Sequence, residues 1–139
     1  MNRLYNTAAY KFVTAALNWD TADIRMALVA DTYTYNQFDA TGADIGGEFI
    51  GSPLVIDNLE ALTNGVVTGD DVTFASLTDS RTVGGVILLE WVTDINDAEL
   101  VAYYDTVAGV PFTPTGGNYT IATDTGFGGY FQIGGESCQ

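Results

Sequence analysis

The side chains that could carry out chemistry in this 139-residue chain are few in type. It has no histidine, which excludes a Ser-His-Asp triad, a Cys-His pair and the usual zinc sites. The one lysine, Lys11, falls on a predicted helix, where we expect it at the solvated edge rather than beside a serine nucleophile. Cys138 has no basic neighbour to activate its thiol. We therefore predict that the protein is not an enzyme.

Carboxylates are the one abundant reactive group, with 18 Asp and Glu residues against four Lys and Arg. A glycosidase needs two of them at a defined separation, but among so many no pair is singled out. Residues 94–99 resemble the start of a calcium loop, with oxygen ligands at Asp94, Asn96, Asp97 and Glu99. Because Glu99 stands where such a loop needs glycine, we favour a solvated hairpin turn. We expect no metal and no cofactor.

The charge balance excludes two classes of partner. A net charge of −14 without any cluster of Lys and Arg is incompatible with binding to nucleic acid or to an anionic membrane surface. The longest apolar run, VGGVILLEWV at 83–92, is about half of the ~20 residues that a membrane helix needs. We read no targeting signal in the N-terminal residues. The acidic surface remains available to a basic protein partner.

The elements that position these side chains follow from length and hydrophobic spacing. A chain of this size with 47% hydrophobic residues is expected to form one β-rich domain over residues 1–139. Apolar residues at helical spacing predict an amphipathic N-terminal helix over about residues 4–18. From Ile24 the apolar residues alternate with a period of two, which predicts that a strand follows the helix.

Further strands are indicated by short apolar or alternating runs between turn signals. They cover residues 53–57, 66–67, 72–77, 86–93, 99–105, 119–123 and 130–133. Seven or eight short strands predict an antiparallel β-sandwich or a barrel-like domain. The segment VILLEWVT at 86–93 is apolar at nearly every position, as in a central strand covered on both faces. We expect it to form a hairpin with ELVAYYD at 99–105 at the centre of the sheet.

A long surface loop is predicted over about residues 33–50, where periodicity is lost and turn formers are frequent. Its aromatic residues Tyr33, Tyr35 and Phe38 are the predicted partner-binding residues, because exposed aromatic side chains anchor interfaces. The alternative is that they pack back on the domain as a satellite cluster, and the sequence leaves both open. The Gly-rich region 42–66 has no assigned fold, and a flexible tail is expected over about residues 134–139.

The order of these segments resembles a family of small structural proteins of tailed bacteriophage virions. The most specific stretch is ALNWDTADIRMALVADTYTY at 16–35, with a helix, a Trp-Asp turn, a strand ending in a Leu-Val pair and a Tyr-Thr loop. GDDVTFASL, VILLEWVTD with ELVAYYD, and YTIATDTGFGGYFQI extend the resemblance over most of the chain. The resemblance implies no catalytic residues. It implies a head decoration or cement protein on the capsid surface.

The leading hypothesis is therefore a non-enzymatic virion protein that binds the major capsid protein of a phage head. Self-association on the particle is expected, with a trimer as the specific hypothesis. The first alternative is a tail or fibre-attachment component of the virion. The second is a carbohydrate-binding β-sandwich that uses Tyr33, Tyr35 and Trp19 as a platform. On the leading hypothesis, deletion of residues 34–48 should leave the fold intact and weaken attachment.

Overall fold

The computed structural model describes residues 2–62, 65–107, 109–122 and 131–132, except for the side chains of residues 2, 131 and 132. The described residues form two helices, a short 3-10 helix and ten strands. In chain order they are β1 Asn2–Leu4, α1 Asn6–Val13, β2 Ile24–Ala30, α2 Gly42–Ile45, the 3-10 helix Gly46–Glu48, β3 Phe49–Val55, β4 Glu60–Ala61, β5 Val66–Thr68, β6 Val72–Phe74, β7 Val83–Glu90, β8 Glu99–Tyr104, β9 Tyr119–Ile121 and β10 Phe131–Gln132. The predicted mainly β, sandwich-like fold is confirmed.

The main sheet has five antiparallel strands in the order β1-β8-β7-β2-β3. Its central strand is β7, and the predicted hairpin joins β7 to β8, with Glu90 opposite Glu99. Two smaller sheets have the orders β10-β5-β4 and β6-β9. The strands β1 and β4 were not expected from the sequence, because segments of two or three residues carry no measurable period.

Both faces of the main sheet are buried, each in its own hydrophobic cluster. Along β2 the side chains alternate: Met26 and Leu28 belong to one cluster, Ala27 and Val29 to the other. The first face, here called the helix side, is covered by α1 and by residues of the two small sheets. The second face, the loop side, is covered by the segment that follows β2. A strand buried on both faces explains the nearly continuous apolar sequence of β7.

The helix α1 ends at Val13, earlier than the predicted end near residue 18. Ala15 adopts a left-handed backbone conformation (φ 60°), which a right-handed helix cannot accommodate. Leu17 and Trp19 are nevertheless buried on the helix side. Leu17 extends the helical spacing of apolar residues in the sequence, which explains why the predicted helix was too long. It is buried although it lies after the end of α1. None of the helices among the described residues is long and apolar enough to span a bilayer.

Salt bridges from one lysine connect α1 to the main sheet. Lys11 Nζ donates a hydrogen bond to the carboxylate of Glu90 and another to Glu99 Oε2 at 2.6 Å. Burial by itself lowers the pKa of Lys11, but the two carboxylates outweigh it, so the pKa is raised. The lysine side chain is only 17% exposed, less than we expected for a solvated edge. It places a positive charge between two glutamates that face each other across β7 and β8.

The predicted loop 33–50 is largely folded against the loop side. It contains α2, the 3-10 helix and the start of β3. Backbone hydrogen bonds join it to the segment before β8 and to β8 itself: Gly42 N to Ala98 O at 2.9 Å, and Leu100 N to Ala40 O at 2.9 Å. Ile45 is buried in the loop-side cluster. This segment therefore belongs to the core, which contradicts the expectation that residues 34–48 are dispensable for folding.

Candidate functional site

Two of the three predicted partner-binding residues pack on the loop side of the sheet. Tyr33 and Tyr35 form a tyrosine cluster with Tyr5 and Tyr103. The Tyr35 ring stacks on Tyr103 with centroids 5.7 Å apart, and the Tyr33 ring meets Tyr103 edge-on at 5.6 Å. The Tyr5 and Tyr35 rings are 5.1 Å apart. For Tyr33 and Tyr35 the structure thus shows the packed arrangement that the sequence left as the alternative.

Hydrogen bonds hold the tyrosine cluster in place. The hydroxyls of Tyr5 and Tyr33 are 2.9 Å apart, and Tyr33 Oη donates to Asp39 Oδ2 at 3.0 Å. Tyr35 Oη donates to the Leu4 carbonyl oxygen at 2.7 Å. Burial raises the pKa of the Tyr5 phenol, and burial together with the nearby Asp39 carboxylate raises the pKa of Tyr33 to about 12. These phenols stabilise the fold as neutral hydrogen-bonding groups.

Stability is expected to fall at alkaline pH because of this cluster. A tyrosine whose folded-state pKa is raised contributes stability below its unfolded pKa of about 10, and that contribution is lost as pH rises through the folded pKa. For Tyr33 the loss runs from about pH 10 to about pH 12. Urea unfolding curves between pH 8 and pH 12 would measure it, with absorbance at 295 nm reporting tyrosinate. Tyr33→Phe should show a smaller alkaline decrease, and an identical decrease would contradict this assignment.

The third predicted residue, Phe38, lies at an exposed loop tip formed by residues 35–38. Its side chain is 73% exposed, yet its backbone is tied down on both sides. Phe38 N donates to Asn36 Oδ1 at 3.0 Å, and Asp39 N donates to Asn36 O at 3.0 Å. Asn6 N donates to Gln37 O at 3.0 Å, which joins the loop tip to the start of α1. The structure therefore presents a large aromatic side chain to solvent from a well-anchored backbone.

A shallow recess of about 320 Å³ lies beside Phe38. It is lined by Arg3, Tyr35, Asn36, Gln37 and Phe38. The guanidinium of Arg3 lies over the Tyr35 ring, 5.6 Å from its centroid, so a positive charge sits beside exposed aromatic surface. Amide, guanidinium and aromatic groups together can bind a protein surface by hydrogen bonds and apolar contact. We take this loop tip and its recess as the candidate functional site.

Three of the four suggested calcium ligands, Asp94, Asn96 and Asp97, lie in the turn between β7 and β8, and the fourth, Glu99, is the first residue of β8. Asp97 Oδ1 accepts hydrogen bonds from Thr93 N and Asp94 N, and Asp94 Oδ1 accepts one from Asn96 N at 2.8 Å. Glu99 binds Lys11 instead. Hydrogen bonds from the backbone N–H groups of Asp94 and Thr93 lower the pKa of Asp97, as expected for a carboxylate that stabilises a turn. Among the described residues, no group of three acidic, Cys or His side chains is placed to hold a metal ion.

The proposed sugar platform is not assembled. Trp19 is 3% exposed on the helix side, and its indole Nε1 donates to the Thr68 carbonyl oxygen at 2.9 Å. Tyr33 and Tyr35 lie on the opposite face of the same sheet. The three side chains therefore cannot form one flat binding surface.

The sequence reasoning missed an exposed surface on α1. Tyr10 is 70% exposed and Val13 is 87% exposed, and both point away from the sheet that buries Ala8. Tyr10 and Val13 are three residues apart, so they are neighbours on the exposed side of the helix. The helical spacing of the sequence predicts that Val13 lies on the same apolar face as Ala8 and Phe12, and this placement is wrong, because Val13 is exposed.

Comparison with protein-family models, with curated proteins and with solved structures finds no match to this chain.

Proposed function

We propose that the chain is a structural protein of a tailed-phage virion that decorates the capsid and binds the major capsid protein through the loop tip at Phe38. The observation that carries this proposal is the exposure of Phe38 on an anchored backbone beside Arg3. The phage resemblance of the segment at 16–35 supports the virion as the setting. The tail or fibre attachment site is the alternative location within the same proposal.

The anchored backbone favours binding on energetic grounds. Ordering a mobile loop at an interface opposes association, at about 0.5–1.5 kcal/mol for each side chain that is immobilised. In this chain the hydrogen bonds around Asn36 and the Tyr35 bond to Leu4 already fix the loop tip. Most of the conformational entropy of the loop tip is therefore already lost when the chain folds, and little more is lost on binding. An exposed phenylalanine can then insert into an apolar pocket of a partner and act as an interface anchor.

The net charge is compatible with an outer surface. At −14 the protein would be repelled by packaged DNA, which carries a dense row of phosphates. On the outside of a shell the same charge meets solvent and counterions. The charge therefore favours a position on the outside of the particle, but it does not identify the surface that contacts the capsid.

The test of the site is a comparison of Phe38→Ala with the parent chain in binding to particles that lack this protein. If Phe38 is an interface anchor, its loss should weaken attachment about 30-fold or more, the equivalent of at least about 2 kcal/mol. Val55→Ala is the matched control, because Val55 is also an exposed apolar residue but lies on β3, at the opposite edge of the main sheet from β1. It should bind as the parent does.

Three results would bear on the proposal. Thermal unfolding midpoints of both variants should equal that of the parent, since neither side chain is buried. Equal attachment of Phe38→Ala and the parent would reject the loop tip as the binding site. Gold-labelled antibody on intact particles then locates the protein: label over the head supports the decoration role, label on the tail supports the alternative, and absence from all particles rejects both.

A further inference from the structure

The helix α1 is apolar on two sides, and only one of them is covered. Ala8 and Phe12 face the helix-side cluster of the main sheet. The opposite face consists of Asn6, Ala9, Tyr10 and Val13, all exposed. A helix that is apolar around most of its surface is normally buried on all sides. None of the described residues (2–62, 65–107, 109–122 and 131–132) covers this face of α1, here called the outer face, which therefore indicates a further contact.

Charge is distributed unevenly between this helix and the rest of the chain. Residues 1–19 contain no Asp or Glu, whereas all 18 carboxylates lie in residues 20–139. Within α1 the only charged residue is Lys11, and it binds Glu90 and Glu99 on the sheet. The outer face is thus an uncharged apolar surface on a strongly acidic protein.

We propose that the outer face of α1 is the contact between copies of this same chain. Two copies with a net charge of −14 repel each other, so they can approach closely only through surfaces that lack carboxylates. The outer face meets this condition. Its four residues also have the spacing i, i+3, i+4 and i+7, which places them on one side of the helix and lets two helices pack.

A twofold contact of this kind is self-complementary, because the same face is used by both copies. An acidic or strongly basic partner would be expected to select a charged face instead, and the outer face offers none. An uncharged partner surface of a different protein is the competing occupant, and the experiment below separates it from a second copy.

The contact is expected to be weak in free solution. An eight-residue helix is about 12 Å long, so the area it can bury is well below the 1,200–2,000 Å² of a standard stable interface. Attachment to a particle raises the local concentration of copies to the millimolar range, where weak contacts become occupied. The outer face therefore contributes to assembly on a surface more than to a stable oligomer in solution.

The test is sedimentation equilibrium of the full chain at concentrations up to about 1 mM, in about 0.1 M and about 1 M NaCl. Association is expected to rise with concentration. It is also expected to be stronger in high salt, because the Debye length falls from about 10 Å to about 3 Å and the repulsion between acidic copies is screened. Salt would instead weaken a contact held by opposite charges. The direction of the salt effect thus reports the kind of contact.

Two variants make the result specific. Tyr10→Ser combined with Val13→Ser should raise the dissociation constant at least about tenfold, which is about 1.4 kcal/mol, without changing the unfolding midpoint, since both side chains are exposed. Val55→Ser, an exposed apolar position on β3, should associate as the parent does. An equal loss of association in both variants would overturn the assignment of the contact to α1.

A parent chain that stays monomeric at about 1 mM and high salt would overturn the proposal directly, since the Debye length of about 3 Å leaves little repulsion to prevent association. If in that case the Tyr10 and Val13 double variant loses attachment to particles, the occupant of the outer face is the coat protein and not a second copy. Neither outcome affects the test of Phe38 above, because that test compares attachment of single copies to empty sites.

Discussion

Deletion of residues 34–48 is expected to abolish cooperative folding of the whole domain. The deleted segment carries Tyr35 and the buried Ile45, which cover the loop side of the main sheet. Beneath it lie four side chains that are fully buried, Val29, Ile87, Leu89 and Leu100. Burial of such a side chain stabilises a protein by about 1.5–3 kcal/mol, so loss of half of this burial costs about 3–6 kcal/mol. That is a large part of the ~5–15 kcal/mol by which a domain is stable.

Lost backbone hydrogen bonds add to this cost. In the intact chain Gly42 N donates to Ala98 O, Ala43 N donates to Asn96 O, and Leu100 N donates to Ala40 O. After the deletion, Ala98 O, Asn96 O and Leu100 N would lose these hydrogen bonds and would have to bind water instead. Urea unfolding followed by circular dichroism is the measurement, and Phe38→Ala is the control that alters only the exposed tip, with a change within about 0.5 kcal/mol. A deletion variant that unfolds cooperatively near the parent midpoint would show that the segment is an independent surface loop.

Gly42→Ala is expected to be the most damaging single substitution in this segment. A methyl group at residue 42 would lie 1.7 Å from the carbonyl oxygen of Ile95 and 2.9 Å from its carbonyl carbon. These are backbone atoms, so a side-chain rotation cannot relieve the overlap. Gly42 is buried, and its N–H donates a hydrogen bond to Ala98 O at 2.9 Å, which holds the start of α2 against the residue that precedes β8. The overlap can be relieved only by moving the hairpin turn or α2, at a cost of about 3 kcal/mol or more.

Gly47→Ala is the matched control for this substitution. Gly47 lies five residues further along the same segment, and a methyl group there would meet no atom within 4 Å. Its substitution should change the free energy of unfolding by no more than about 0.5 kcal/mol. Equal urea midpoints for the Gly42→Ala variant and the parent would contradict the close approach of α2 to the turn before β8.

The main sheet was the part of the fold most accessible from sequence. Strands β7 and β8 are long enough to show a pattern, and burial on both faces makes β7 almost continuously apolar. The segment after β2 was harder, because α2 has four residues and the 3-10 helix three, too few to show a period. One local signal was present: Thr41 and Asp44 have capping-box spacing, and Asp44 Oδ2 accepts hydrogen bonds from Ala40 N and Thr41 N.

The candidate site was half accessible from sequence. The aromatic residues were recognised, but their directions depend on tertiary contacts. Tyr33 and Tyr35 are two residues apart, and both rings contact Tyr103. Phe38 follows the turn at Asn36 and points outward. Whether an aromatic residue packs or protrudes is decided by Tyr5 and Tyr103, which are distant in sequence, and local pattern cannot supply that information.

The pairing of β1 with β8 also sets the order in which the chain can fold during synthesis. The partners of residues 2–4 are residues 102–104, which are synthesised about a hundred residues later. In the interval α1 cannot persist alone, because an isolated helix of eight residues is too short to be stable in water. Folding is therefore governed by long-range pairing and is expected to be slow for a domain of this size. A fragment that stops before residue 99 cannot form the native sheet, because it lacks β8. Both the edge strand β1 and the central strand β7 pair with β8.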